Sequence, residues 1–279
     1  MISRRGFLLT SAGVVTGAVG LGAYTRFVEP QWLEFTRHSM PIRNLPVGLV
    51  GRTLVQLSDI HVGPRVPDDY VLETFRQVRA LEPDIVVYTG DFTSLHHDRY
   101  RHAEFIYSHM ALGTMGTFAS LGNHDYGLDW AQLADAERIS ALLRNLGVTV
   151  LVNEVTEVAG LQIAGLGDLW GRQFAPDRAF ASLAPNTPTI ALSHNPDTVD
   201  LMGWHPFTGW ILSGHTHGGQ CKPPFLPPPV LPVRNKRYTS GAFALSQNRH
   251  MYISRGVGTV LPVRFNVRPE VAVFTLTTA

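Results

Sequence analysis

The sequence predicts an α/β or α+β fold in which two β-sheets face one another and helices cover their outer sides. Three observations predict it. From Gly51 onward, short β-like apolar runs alternate with stretches whose apolar residues recur at helical spacing. The first half reads βαβα and the second half is richer in strands, a combination that fits two sheets with helices outside. The 279 residues, 44% of them hydrophobic and 16% charged, suffice for one well-buried domain.

At the N-terminus, Met1-Ile2-Ser3-Arg4-Arg5-Gly6-Phe7-Leu8-Leu9 sets two adjacent arginines before an uncharged run, rich in Gly, Ala, Val and Leu, that extends to about Tyr24. The stretch from Ser3 to Leu8 resembles the twin-arginine export signal of bacteria. The run is also about as long as a bilayer span, roughly 20 residues, and Arg4 and Arg5 would stay on the inner side. Ala18-Val19-Gly20 and Gly20-Leu21-Gly22 match a cleavage site only weakly. Residues 1–28 are therefore expected to be a twin-arginine signal retained as a membrane anchor. The remainder would then lie outside the cytoplasm, in the periplasm or on the outer face of the cytoplasmic membrane. Residues 29–48 mix Pro30, Trp32, Phe35, Pro41 and Pro46 with polar groups and read as a connector, with Trp32 and Phe35 packing on the domain.

Residues 49–279 form the expected domain. Thr53–Leu57 reads as a strand. Val66–Leu81 reads as a helix, with Val71, Leu72, Phe75, Val78 and Leu81 on one face. Asp84–Tyr88 reads as a buried strand, Arg99–Leu112 as a helix, Thr117–Leu121 as a strand and Trp130–Leu146 as a helix stopped by Gly147. Strands follow at Thr149–Asn153, Glu154–Val158, Leu161–Ala164, Thr189–Ser193, Trp210–Ser213, Ala242–Leu245, Met251–Ser254 and Val271–Leu276. Short helices are expected near Asp177–Leu183 and Pro196–Met202, and Lys222–Val233 is a proline-rich loop that reads as a stiff connection.

A net charge of +1 argues against a bulk nucleic-acid binder, and no basic groove with stacking aromatics marks a nuclease. The single cysteine, Cys221, cannot form an internal disulfide and reads as a small packed residue. Twelve histidines give ample imidazole, and polar clusters follow one strand after another. They are Ser58-Asp59-Ile60-His61, Thr89-Gly90-Asp91, Gly122-Asn123-His124-Asp125, Ser193-His194-Asn195 and Gly214-His215-Thr216-His217-Gly218-Gly219. Strand ends that share one edge converge in space. Asp59 and His61, two residues apart, can aim at one ion, and His215 and His217 repeat that spacing. The carboxylate of Asp91 can bridge two cations, and Asn123 offers a neutral carbonyl oxygen. Mixed imidazole and carboxylate ligands suit Mn, Fe or Zn better than Ca.

In this order the five clusters resemble the calcineurin-like metallophosphoesterase superfamily, whose pattern is D-x-H, G-D, G-N-H-[DE], H and G-H-x-H. Together with the N-terminus, Gly165-Leu166-Gly167-Asp168, His194-Asn195-Pro196-Asp197, Gly214–Gln220 and Arg255-Gly256-Val257-Gly258 look like its exported bacterial phosphodiesterase branch. The resemblance implies a four-layer αββα sandwich of two mixed sheets. It implies one ion held by Asp59, His61, Asp91 and His217, and a second held by Asp91, Asn123, His194 and His215. Manganese is the first choice of metal, with Fe, Zn or Mg as alternatives. A water or hydroxide between the ions would attack phosphorus in line, with His124 as general acid and Asp125 in support. Asn123, His124 and Arg255 would contact the substrate. The later Asp and Arg of the protein-phosphatase motif G-D-x-x-D-R-G are missing after Asp91, which argues against a protein phosphatase.

The function expected is hydrolysis of a phosphodiester, lipid-linked or in the cell envelope. The alternatives are a pyrophosphatase of the UDP-2,3-diacylglucosamine type and, outside catalysis, a wall- or membrane-binding module. Expected partners are the substrate, the twin-arginine export machinery and the membrane, with no specific nucleic acid.

Overall fold

The computed structural model describes residues 4–94 and 100–279, with side chains of the first helix described from Val14 onward. Ser3, the side chains of Arg4 and Arg5, and Arg99, where a helix was expected to start, lie outside the described residues. The chain runs α1 (Arg4–Ala23), β1 (Glu34–Ile42), β2 (Thr53–Leu57), α2 (Asp68–Arg79), β3 (Ile85–Thr89), α3 (Tyr100–Tyr107), β4 (Gly116–Ser120), α4 (Leu133–Asn145), β5 (Thr149–Val150), β6 (Glu154–Val158), β7 (Leu161–Gly165), α5 (Pro176–Phe180), β8 (Thr189–Leu192), β9 (Gly209–Ser213), β10 (Gly241–Ala244), β11 (Arg249–Ile253) and β12 (Glu270–Thr278). Among the described residues no helix is long and apolar enough to cross a membrane.

Two six-stranded sheets form, in the orders β1-β12-β2-β3-β4-β5 and β10-β11-β9-β8-β7-β6. The alternation of side chains along a strand explains why both are buried on two faces. In β2 and β3, Leu54, Ile85 and Val87 point into a core that also holds Leu161, Ile163, Ile190, Leu192 and Leu212 of the second sheet. Their neighbours Val55, Leu57, Val86 and Tyr88 point the other way, against Phe75 of α2, Ile106 of α3 and Ile139 of α4. A third core lies on the far side of the second sheet, where Ala191, Ile211 and Met251 meet Phe180 of α5, Trp204 and Phe207. Three cores between four layers make the αββα sandwich that the sequence led us to expect.

The helices are amphipathic for the same reason. Tyr70, Val71, Thr74, Phe75 and Val78 form the buried stripe of α2, while Asp68 and Asp69 in its first turn and Arg76 and Arg79 in its last complement the helix dipole. Gly147 ends α4 as the sequence predicts. It sits at φ +88°, donates its N–H to Arg144 O, and lets Val148 N–H reach back to Leu143 O, the paired bonds of a Schellman stop.

One expectation needs correcting. Residues 29–48 are not a connector, because β1 pairs along its whole length, in parallel, with β12. Glu29 is buried and accepts from Val267 N–H, and Met40 and Ile42 enter the core between the sheets. The strand escaped notice because it is an edge strand. Its outer positions are half-exposed and polar, and Pro41 is tolerated where no further strand needs its missing N–H. Phe35 packs on the helix-side core as expected, whereas Trp32 is half-exposed beneath the Arg268 guanidinium. Two smaller differences are that α3 stops at Tyr107 and that the Pro196 segment is a 3-10 turn, Pro196–Asp200.

Candidate metal centre

The pairs β2–β3, β3–β4, β7–β8 and β8–β9 are all parallel, so within each sheet these strands end at one edge. Asp59 and His61 follow β2, Asp91 follows β3, Asn123 and His124 follow β4, His194 follows β8, and His215 and His217 follow β9. Five of the seven expected ligands sit in the left-handed region although none is glycine: Asp59 (φ 52°), His61 (53°), Asp91 (56°), His215 (70°) and His217 (50°). Each such residue costs on the order of 1–3 kcal/mol, and strain of this kind persists where a site demands it. The flanking glycines allow close approach. A Cβ on Gly122 would collide with the Asp91 carboxylate, and one on Gly214 would collide with Ser58 and the Asp59 carboxylate.

The side chains converge as three overlapping triads. Asp59, His61 and His217 form one, Asp91, His194 and His215 another, and His61, Asp91 and His124 the third. In the first, His217 Nε2 is 3.2 Å from Asp59 Oδ1 and 3.1 Å from His61 Nε2. Asp91 Oδ2 is 3.2 Å from His194 Nε2 and 3.5 Å from His61 Nε2. Asn123, in the turn beside them, is fully buried, and both its amide atoms lack hydrogen-bond partners, as does His194 Nε2. An unpartnered buried polar group costs about 1–3 kcal/mol. A cation facing the Asn123 carbonyl and the imidazole nitrogens would remove that cost, so these residues fit a divalent metal centre.

Contacts behind the ligands set which nitrogen faces inward. His194 Nδ1 lies 2.7 Å from Thr89 O, His61 Nδ1 lies 2.7 Å from Ser94 Oγ, and His215 Nε2 lies 2.8 Å from Pro232 O. His194 and His215 must donate to those carbonyls, which leaves Nε2 of the first and Nδ1 of the second free to ligate. Burial and the neighbouring charges of His124 and His217 keep His61 neutral, its pKa well below the usual histidine value. Burial, joined by the charge of His194, pushes His215 down to about 3. Neutral imidazole is the ligating form. Burial works against charge on Asp91 as well, yet the surrounding histidines hold its carboxyl well below the ordinary range.

Asp125 supports the site through the backbone. Its carboxylate accepts four backbone N–H groups, from Asp91 (3.0 Å), Phe92 (2.9 Å), Thr93 (3.2 Å) and Gly122 (2.9 Å), so it holds the Asp91 loop in shape. Arg255, expected to contact the substrate, is paired with carboxylates instead. Its Nη2 bonds Glu34 Oε2 at 2.8 Å and its Nε bonds Glu270 Oε2 at 3.2 Å. His124 is half-buried, edge-on to His61 at 4.9 Å between ring centroids, and its backbone N–H donates to Asp91 Oδ1. Cys221 is half-buried and outside the triads.

Several supporting residues carried no sequence signal. Pro232 ends the proline-rich loop, and its carbonyl orients His215. Arg264 is wholly buried, and its Nη2 donates to the carbonyls of Arg255, Gly256 and Gly258. Gly258 N–H in turn donates to Asp59 O.

Residues 52–219 match the family described as calcineurin-like phosphoesterase. The chain is 33% identical over 286 residues to phosphodiesterase YaeI of Escherichia coli (strain K12), covering 99% of this chain and 100% of that one. It is 32% identical over 292 residues to the metallophosphoesterase YkuE of Bacillus subtilis (strain 168), covering 99% and 98%. To the UDP-2,3-diacylglucosamine pyrophosphatase LpxG of Chlamydia trachomatis it is 28% identical over 302 residues, covering 89% and 90%.

Proposed function

Because this chain belongs to the calcineurin-like metallophosphoesterase family, and is a metal-dependent hydrolase of phosphoric esters, we propose that it is a phosphodiesterase built on two divalent ions and working outside the cytoplasm. One observation carries the two-ion reading: a single carboxylate oxygen, Asp91 Oδ2, belongs to the group of Asp91, His194 and His215 and also reaches to 3.5 Å from His61 Nε2 in the group of Asp59, His61 and His217. Asp59, His61, Asp91 and His217 would hold one ion, and Asp91, Asn123, His194 and His215 the other. Bound there, the ions supply Lewis acidity, lowering the pKa of water and neutralising phosphoryl charge.

The chain's own groups do the rest. The carbonyls of Thr89 and Pro232 fix the imidazoles before substrate arrives. Asp125 keeps the Asp91 loop in shape through its four backbone hydrogen bonds. His124, at the open side of the triads, is placed to give a proton from its ring nitrogen to the departing ester oxygen. Mixed imidazole and carboxylate donors suit Mn, Fe or Zn better than Ca, and Mn is the first choice, with Fe, Zn or Mg as alternatives.

The test is turnover by the purified protein lacking residues 1–28, against panels of phosphomonoesters and phosphodiesters with Mn, Zn and Mg compared, alongside metal analysis. Two ions per chain and preferred diester cleavage are expected. A protein that retains no ion, or that cleaves monoesters alone, would end this reading.

Likeness to LpxG favours one second reading, a pyrophosphatase acting on a nucleotide-linked lipid. Placement outside the cytoplasm rests on Arg4-Arg5 ahead of an uncharged run that extends to about Tyr24. It separates the two readings, because a cytoplasmic nucleotide substrate would be out of reach of an exported domain. Reporter fusions at the C-terminus decide the side, and a cytoplasmic signal would turn the choice toward the pyrophosphatase.

A further inference from the structure

Beside the triads stands an aromatic wall that metal binding does not use. Trp130 and Trp170, both half-buried, stack on each other with centroids 4.7 Å apart and planes 28° from parallel. Trp170 meets the ring of His215 edge to face at 4.4 Å, and Trp130 meets His124 at 6.3 Å. The wall therefore runs from an expected ligand to the expected proton donor.

The wall is held in place. Asp168 Oδ1 accepts from Gly171 N–H at 2.6 Å and closes the turn that carries Trp170. Buried Asn153 clamps both ends of that loop, accepting from Gly167 and Ala175 N–H and donating to Gln173 O. Trp130 is kept at φ 54°, a rare conformation for a bulky residue, with its N–H on Gly127 O. Half-buried indoles on loops so firmly tied keep the accessible parts of their rings in place at little further ordering cost. Such rings favour a planar ring, by offset stacking, over a flexible chain that would lose rotamer freedom. A centroid separation of 4.7 Å leaves no room for a third ring between them, so a ligand must lie along the outside of the pair.

We propose that the Trp130–Trp170 stack is a specificity wall for the ester group retained on phosphorus, and that it selects an aromatic ring there. This rests on the phosphodiesterase reading above.

The test uses the full chain reconstituted with Mn. Two diesters share 4-nitrophenol as leaving group and differ only in the retained group: bis(4-nitrophenyl) phosphate and methyl 4-nitrophenyl phosphate. Trp170→Ala should lower kcat/KM for the first by about tenfold, the scale of one ring stacked on an aromatic side chain. The methyl diester should change less than about twofold on that scale, metal content should stay constant, and Trp170→Phe should keep most of the preference. Equal loss on both substrates would make the pair structural and overturn the proposal.

A binding arm needs no turnover. Phenylphosphonate should quench indole fluorescence more than methylphosphonate does, and the double variant Trp130→Phe, Trp170→Phe should lose that difference. Quenching by decylphosphonate as strong as by phenylphosphonate, lost in the same variant, would mean a wall for acyl chains and would also overturn it. If neither diester is cleaved by the wild type, the phosphodiesterase reading fails while the phosphonate arm still decides the wall.

Discussion

His124 and Asp125 are neighbours in sequence with unrelated duties. The ring of His124 meets His61 edge-on, so on the proposed role His124→Ala should lower kcat by about 10²–10⁴-fold while metal content, measured by mass spectrometry, stays at the wild-type level. Loss of metal and activity together would make it a ligand. Asp125 faces the other way, into four backbone N–H groups. Asparagine there would turn an NH₂ group toward those donors. Asp125→Asn should therefore cost about 3 kcal/mol in urea unfolding and weaken metal retention through the Asp91 loop. Unchanged stability would show that the loop does not depend on the carboxylate. The identity of both residues was legible in the motif. Their orientation was not, because a turn decides which way adjacent side chains point.

At the scale of elements, the parallel strands place the ligands and the stops set their lengths. Gly147 has open space around its Cα, so only its φ of +88° resists a side chain. Gly147→Ala should destabilise the protein by about 1 kcal/mol, read as a shift in the urea midpoint with activity unchanged. A shift of zero would mean that the α4 stop relaxes at no cost. The strongly periodic elements, α2 and α4, and the largely apolar strands β2 and β3 were readable within a few residues of their ends. Strand β1 was not. Its stability comes from β12, more than two hundred residues away, and its local pattern is half polar.

At the scale of the molecule, that pairing makes the N-terminal third of the first sheet's edge part of the domain. Removal of residues 1–23 should leave a folded, metal-binding protein. Removal of residues 1–48 should not, because β12 would lose one of its two partner strands and the core would lose Met40 and Ile42. Circular dichroism and thermal melts of the two truncations check this, and equal melting temperatures would contradict it.

The same edge carries a charge network in which buried Glu270 and half-buried Glu34 pair with Arg255. Burial works to raise the Glu270 pKa, but Arg255, Thr36 and Tyr252 hold it below its ordinary 4.5. A carboxyl depressed in the folded state contributes stability above its unfolded pKa and loses it as pH falls through the folded one. Wild-type stability should therefore drop as pH goes below 4.5. Glu270→Gln should be less stable at neutral pH yet decline less over that acid range in urea titrations. Parallel curves would place the acid sensitivity elsewhere.

The sequence by itself determined the αββα class and the chemistry of the centre. Each ligand sits in a short motif at a strand end, and parallel strands bring such ends together without further instruction. Only the tertiary structure decided that Arg255 is spent on Glu34 and Glu270, that Pro232 sets the tautomer of His215, that Trp130 meets Trp170, and that β1 belongs to the sheet. Each of those contacts joins residues 15 to 236 positions apart. Local propensity and spacing carry no information about which distant group will close a hydrogen bond, complete a stack or pair an edge.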